Sequence, residues 1–380
     1  MTNQSQPAAA ATLEASIMPS ATPLPRGPSH LALFGAEDLL AAVGCPVCRY
    51  TAEAGDRFFG WFALEGHAEA SMITRLCRSL GCCPAHTRVL LSQPGAEGRM
   101  TAVGIYLMRA AASCLDDGTL PPDPCLACTR DAEAAQRALG TLLTGLRDDD
   151  LRDRYRDADG LCLPHLRAAL RHSRRRLTAW LADDMRSRLA AGPPGLAILA
   201  GQDPDAEVRA RLRATLPPAP GGDVCPACLF AAHAERDALA RPAEAAAALC
   251  PAHLRDACAT PAPSPGTVKE PGECPACRAV SAAEDRVLGI VGAQAPAGRT
   301  PDLCVRHVLA LRRRDRRAAG AAARAAARRI EAVLRELEEA FRKRTWAHRH
   351  EPRGREMTAW QRAPLVLDGR VYGGGPPGRL

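Results

Sequence analysis

The chain is 380 residues long, 47% hydrophobic and only 4% aromatic, with a formal net charge of +8. That is enough apolar material for the cores of two or three domains, and a chain so poor in rings and so rich in Ala, Leu and Arg favours packed helices over sheets. No run of 18 apolar residues occurs, which excludes a membrane-spanning helix, and the few aromatic rings leave little on which exposed bases could stack.

Residues 1–30 are rich in Ala, Pro, Ser and Thr, lack a basic start and a solid apolar stretch, and read as a disordered leader rather than an export signal. The chain is therefore read as cytoplasmic, where sixteen cysteines point to metal ligation rather than to disulfides.

Twelve of those cysteines fall into four copies of one pattern, a Cys-x-x-Cys pair followed by Cys-x-x-His. Along residues 31–192 the first copy is Cys45, Cys48, Cys83 and His86, and the second is Cys125, Cys128, Cys162 and His165. Along residues 223–307 the third is Cys225, Cys228, Cys250 and His253, and the fourth is Cys274, Cys277, Cys304 and His307. Read along the chain, each copy makes one site. Three thiolates and one imidazole complete a tetrahedron for zinc and leave no position for water or substrate, so about four structural zinc ions are expected and no catalytic metal. Iron suits such a cage less commonly, and soft sulfur ligands exclude magnesium and calcium.

The residues around the pairs predict helices. Pro46, Pro226 and Pro275 each follow the first Cys of an opening pair, where a fixed φ and a missing N–H suit the first turn. Apolar residues then recur at three- and four-residue spacing over Arg49–Leu64, Thr129–Leu146 and Ala279–Val291, and Thr101–Leu115 reads as one buried helix. The closing pairs also open helices, at Val89, Leu166, Leu254 and Val308. Both halves of a site thus sit at helix N-termini, whose unpaired amides and positive dipole favour thiolate over thiol. The fold class is all-α, with repeated helical units stapled by structural zinc.

Pro- and Gly-rich segments divide the chain, with residues 193–222 as a linker around a short helix. Residues 308–344 read as one long Arg-rich helix whose second half carries an apolar stripe through Ile330, Val333, Leu334, Leu337 and Phe341. Residues 345–380 form a partly disordered tail anchored by Trp360. The remaining cysteines, Cys77, Cys82, Cys114 and Cys258, are expected to fill core space, and His348, His350 and Glu351 to belong to a solvated polar tail.

At Gly81–Leu91 and Thr101–Leu115, and again at Glu351, Gly354, Glu356 and Trp360, the chain resembles a bacterial family of unknown function with repeated CxxC…CxxH motifs and a Glu/Gly/Glu/Trp tail. The resemblance implies zinc binding and a helical fold and carries no catalytic residues. The shortened third unit and the Arg-rich last helix depart from it.

Neither a Gly-rich phosphate loop nor a Ser/His/Asp constellation is found, so the reading leans away from an enzyme and toward a zinc-binding scaffold for macromolecular, chiefly protein, partners. One alternative is nucleic-acid binding. Residues 306–380 carry 19 Lys and Arg against 8 acids, and Arg312, Arg313, Arg314, Arg316 and Arg317 would meet phosphates. A second is a thiol redox or zinc-release switch.

Overall fold

The computed structural model describes residues 30–41, 43–119, 123–190, 224–239, 274–294 and 302–371. Among these residues there are fourteen α-helices and no strand, as the composition and periodicity predict. Residues 1–29 of the expected leader, the 193–222 linker, Cys250, His253, Cys258 and the last nine residues lie outside the described residues.

Two antiparallel helix pairs organise the molecule. The first is α2 (Pro46–Leu64) and α6 (Leu126–Gly145). The start of α2, with Cys45, Val47 and Cys48, shares a core with Leu139, Leu142 and Leu146 at the end of α6. At the opposite end, Arg130 of α6 lies over the ring of Phe58 near the end of α2, 5.3 Å from its centroid. The second pair is α10 (Pro226–Leu239) and α11 (Pro275–Gln294), where Ala238 and Leu239 at the end of α10 pack against Cys274, Ala276 and Cys277 at the start of α11. Each pair therefore presents one Cys-x-x-Cys helix start at each of its ends.

Shorter helices complete each end. α1 (His30–Leu40) lies on α6 so closely that a Cβ on Gly145 would come within 2.4 Å of the Ala36 methyl. α3 (Ala70–Arg78) and α4 (Pro84–Leu91) follow α2, and α7 (Asp149–Asp157), α8 (Leu163–His172) and α9 (Arg175–Ala190) follow α6. The larger of two main cores joins α5 (Ala96–Asp117) to residues after 224, including the long helix at the end of the chain.

That last segment is two helices rather than the single one predicted over 308–344. α12 (Val305–Arg314) ends at Asp315, whose extended backbone (φ −144°, ψ 99°) breaks the helical path, and α13 (Arg316–Lys343) starts anew. The Asp315 carboxylate accepts hydrogen bonds from the Arg317 and Ala318 amides at 2.9 Å, capping the second helix. A side chain that satisfies the orphan amides of a new N-terminus turns a polar residue within a helical pattern into a stop and a start.

The buried face of α13 runs through Ala318, Ala322, Ala326, Ile330, Val333 and Leu337 and packs on α5, where Gly104 lets Leu337 approach to 3.1 Å of the position a Cβ would take. The described part of the tail runs to Val371. Its helix α14 (Ala359–Leu367) buries seven of its nine residues, and the partly buried Trp360 packs on the main core as the predicted anchor.

Candidate metal centres

Three clusters of three cysteines and one histidine form among the described residues. The first joins Cys45 and Cys48, at the start of α2, to Cys162 and His165, at the start of α8. The second joins Cys83 and His86 of α4 to Cys125 and Cys128 of α6. The third joins Cys225 and Cys228 of α10 to Cys304 and His307 of α12.

These groupings correct the assignment of one site to each sequence copy, because the opening pair of every copy that enters a cluster meets the closing pair of another. The cause is the antiparallel packing. The start of α6 lies at the end of α2, where the chain turns through α3 to α4, so Cys125 and Cys128 meet Cys83 and His86. The start of α2 lies at the far end, where α7 leads to α8, so Cys45 and Cys48 meet Cys162 and His165. The sites are nested along the chain, one inside the other. In the second half the Cys225 and Cys304 pairs form the outer member of the same order.

The ligand spacing fits a tetrahedral ion. Zinc bonds of 2.3 Å to sulfur and 2.0–2.1 Å to nitrogen would separate ligand atoms by about 3.8 Å for two sulfurs and about 3.5 Å for sulfur and nitrogen. In the first cluster, His165 Nδ1 lies 3.5, 3.3 and 3.1 Å from the sulfurs of Cys45, Cys48 and Cys162, and Cys48 and Cys162 are 3.6 Å apart. In the second, His86 Nδ1 lies 3.3, 3.7 and 3.4 Å from Cys83, Cys125 and Cys128. In the third, His307 Nδ1 lies 3.4, 3.4 and 3.2 Å from Cys225, Cys228 and Cys304. Every histidine presents Nδ1.

The thiols of each cage compete for charge. Hydrogen bonds with Cys162 and Cys48 hold the Cys45 thiol far below its ordinary value, and hydrogen bonds with Cys45 and Cys48 push Cys162 far above it. Cys125 and Cys128 split in the same way, as do Cys225 and Cys228. One thiolate is stabilised by its neighbours and then opposes their ionisation. Three thiolates coexist only around a positive ion.

Carboxylates hold two of the imidazoles from behind. Asp131 lies 2.9 Å from His86 Nε2, and Glu284 of α11 lies 3.3 Å from His307 Nε2. Burial works against a charged His86, but Asp131 together with Cys125 and Cys83 outweighs it and pushes the imidazole up to about 12. Such partners orient the ring and raise its basicity as a ligand. Neither carboxylate was identified from the sequence, although Asp131 sits one helical turn after Cys128, a spacing that could have marked it.

The approaches to the closing pairs share a device. Gly81 and Gly160, each two residues before the closing Cys, take the left-handed conformation with φ of 88° and 73°. Leu161 donates its amide to the buried Tyr155 hydroxyl at 3.0 Å, and Asp159 accepts from the Gly44 amide, tying the two loops of the first site together. At the third site Gly369 packs so closely that a Cβ there would lie 3.1 Å from Cys228 Sγ. The third cluster is buried at all four positions, whereas Cys128 of the second is exposed.

Cys274 and Cys277 start α11 at the end of the second helix pair that corresponds to Cys125 and Cys128 in the first. Cys77, Cys82 and Cys114 are half-buried and pack on the main core, as expected, with Cys82 beside Cys125. His348 and Glu351 join Arg342 in a surface ion network. Of the five arginines named for phosphate contact, Arg312 donates to the Leu115 carbonyl at 3.0 Å and Arg314 pairs with Asp285. Arg313, Arg316 and Arg317 are exposed.

No family model matches the chain, and no curated protein or solved structure matches it.

Proposed function

We propose that this protein is a zinc-stapled helical scaffold that presents surfaces to a macromolecular partner, a protein in the first instance. The observation that carries this reading is the nested set of Cys₃His clusters, each of which clamps together two helix starts far apart in the chain. A closed tetrahedron has no coordination position to offer a substrate, so the metal's contribution is to stability and shape. We extend the same nesting order to a fourth ion held by Cys274 and Cys277 with Cys250 and His253, the latter two lying outside the described residues. None of the fourteen described cysteines is in a disulfide, which supports a reducing, cytoplasmic setting. No described helix is long and apolar enough to cross a membrane. The likeness to a bacterial family with repeated CxxC…CxxH motifs belongs to this reading and rests on the motif residues alone.

Protein binding is supported by exposed apolar side chains at helical spacing. Leu31 and Phe34 of α1 are 86% and 65% exposed, one turn apart, an arrangement that marks an interaction face when it is not buried within the fold. Metal analysis of anaerobically purified protein is expected to give about four zinc ions per chain. A native-lysate pull-down is expected to retain a partner that is lost on Leu31→Asp with Phe34→Asp. Near-zero metal would reject the zinc reading, and capture unaffected by those changes would move the contact elsewhere.

A second reading, duplex nucleic-acid binding, is supported by the exposed guanidinium groups of Arg313, Arg316, Arg317, Arg324 and Arg328, which have no carboxylate partner among the described residues. Binding of mixed-sequence DNA that weakens steeply with salt would support it, and unchanged electrophoretic mobility at low salt would reject it.

A further inference from the structure

A cleft of about 570 Å³ opens where the second half of α6 faces the junction of α8 and α9. Five of its twelve lining residues are basic, namely Arg147, Arg152, His172, Arg174 and Arg176, and none is acidic. We propose that this cleft binds a phosphorylated small molecule carrying several negative charges, such as a nucleoside triphosphate.

On α7 and α9 Arg154 pairs with Glu37 at 3.0 Å, Arg156 with Asp153 at 2.6 Å, Arg186 with Asp183 at 2.5 Å and Arg188 with Asp184 at 2.7 Å, whereas Arg137, Arg171 and Arg175 outside the cleft make no ion pair among the described residues. Within the cleft only Arg152 is spent, on Asp149 at 2.5 Å, on the Leu146 carbonyl at 2.9 Å and on the ring of Trp180. The side chains of Arg147, His172, Arg174 and Arg176 make no ion pair or hydrogen bond among the described residues, although they border one concavity. Like charges gathered without counter-charge repel one another, and a multivalent anion relieves that repulsion.

Guanidinium groups suit phosphate because two parallel N–H donors match two of its oxygens. The volume is far more than one phosphate needs and falls within the range of about 300–1,000 Å³ typical of small-molecule sites. Leu139 and Leu177 floor the cleft and give an organic body an apolar surface, while the Thr144 and Ser173 hydroxyls on its lining are already engaged, by the Gly140 carbonyl and the Thr178 hydroxyl. Three arginines without a carboxylate partner among the described residues come closer to the charge of a nucleoside di- or triphosphate than to that of a single phosphate ester.

The zinc-loaded, full-length protein is titrated at low salt with ATP, pyrophosphate, adenosine and a mixed-sequence DNA duplex, in the wild type and in a variant carrying Arg147→Gln, Arg174→Gln and Arg176→Gln. ATP is expected to bind, pyrophosphate to compete with it and adenosine not to bind. Loss of three charge-assisted contacts is expected to weaken ATP by about a hundredfold or more. The three arginines are exposed, so zinc content and helicity should be unchanged in the variant, which keeps the failure of this proposal separate from failure of the scaffold reading. No ATP binding at low salt, or equal ATP binding by the variant, overturns the proposal. So does duplex binding that depends on these arginines without any competition from ATP, because the phosphates would then be those of a nucleic acid.

Discussion

Cys162 and Cys83 share one local signature, since both open a helix, both precede a histidine by three residues and both follow a left-handed glycine by two. Which thiolates each one meets has a direct test. Cys162→Ser is expected to make Cys45 and Cys48 react with maleimide in the otherwise folded protein while Cys125 and Cys128 stay protected. Cys83→Ser is expected to do the reverse. Mass-spectrometric mapping of the labelled positions decides between nested sites and one site per copy. The carboxylates behind the imidazoles are a separate handle. Asp131→Asn leaves the four ligands of the second site in place but weakens the support of His86, and a loss of roughly 10- to 100-fold in zinc affinity is expected at that site alone. Competition with a chromophoric chelator would show one weakened site among otherwise unchanged ones.

Among the helices, the break at Asp315 sets where the Arg-rich segment turns. Its carboxylate serves two amides at once, so Asp315→Ala should lower stability by about 1 kcal/mol, and Asp315→Asn by much less because the amide oxygen still caps. Urea midpoints of the two variants against the wild type check this. The end of α13 is held by charge. Arg342, and after it His348, keeps the Glu351 carboxyl down at about 2, and Lys343 with the Gly354 amide keeps Glu356 at about 2. An unfolded glutamate titrates near 4.3, roughly. A carboxyl lowered by folding contributes stability that is complete above the unfolded value and is lost as pH falls through the folded one. Docking of residues 345–358 onto α13 is therefore expected to loosen between about pH 4 and pH 2. Acid also releases zinc, so the informative comparison is with the Glu351→Gln, Glu356→Gln variant, in which proteolysis of this segment should show a smaller change over that window.

For the molecule as a whole, zinc held at these clusters would be comparable in energy to everything else that holds it together. A structural zinc site contributes roughly 10–16 kcal/mol of apparent binding energy at neutral pH, against a domain stability of about 5–15 kcal/mol. Removing metal with a strong chelator is expected to unfold the α2/α6 half, where two sites close both ends of one helix pair. Circular dichroism after chelation would show a large loss of helix, and retained native signal would show that packing alone suffices. The exposed Cys128 makes the second site the expected first to release its ion, whereas the third, buried at all four positions, should be the last.

Much of this was legible in the sequence. Cysteine spacing and the Pro residues behind Cys45, Cys225 and Cys274 announce ligand pairs at helix starts, because the dipole and free amides that stabilise a thiolate exist only there. The scarcity of aromatic and β-branched residues announced helices. Identical ligand pairs, however, carry no label of their partners. Only the antiparallel packing of α2 on α6 brings Cys45 to Cys162 and Cys83 to Cys125, and only a folded surface shows that Arg154 and Arg156 are paired while Arg147, Arg174 and Arg176 face a cleft without counter-charge. Local chemistry is written in residue types at fixed spacing. Which distant residues meet is set by the burial of whole helices, which no short motif encodes.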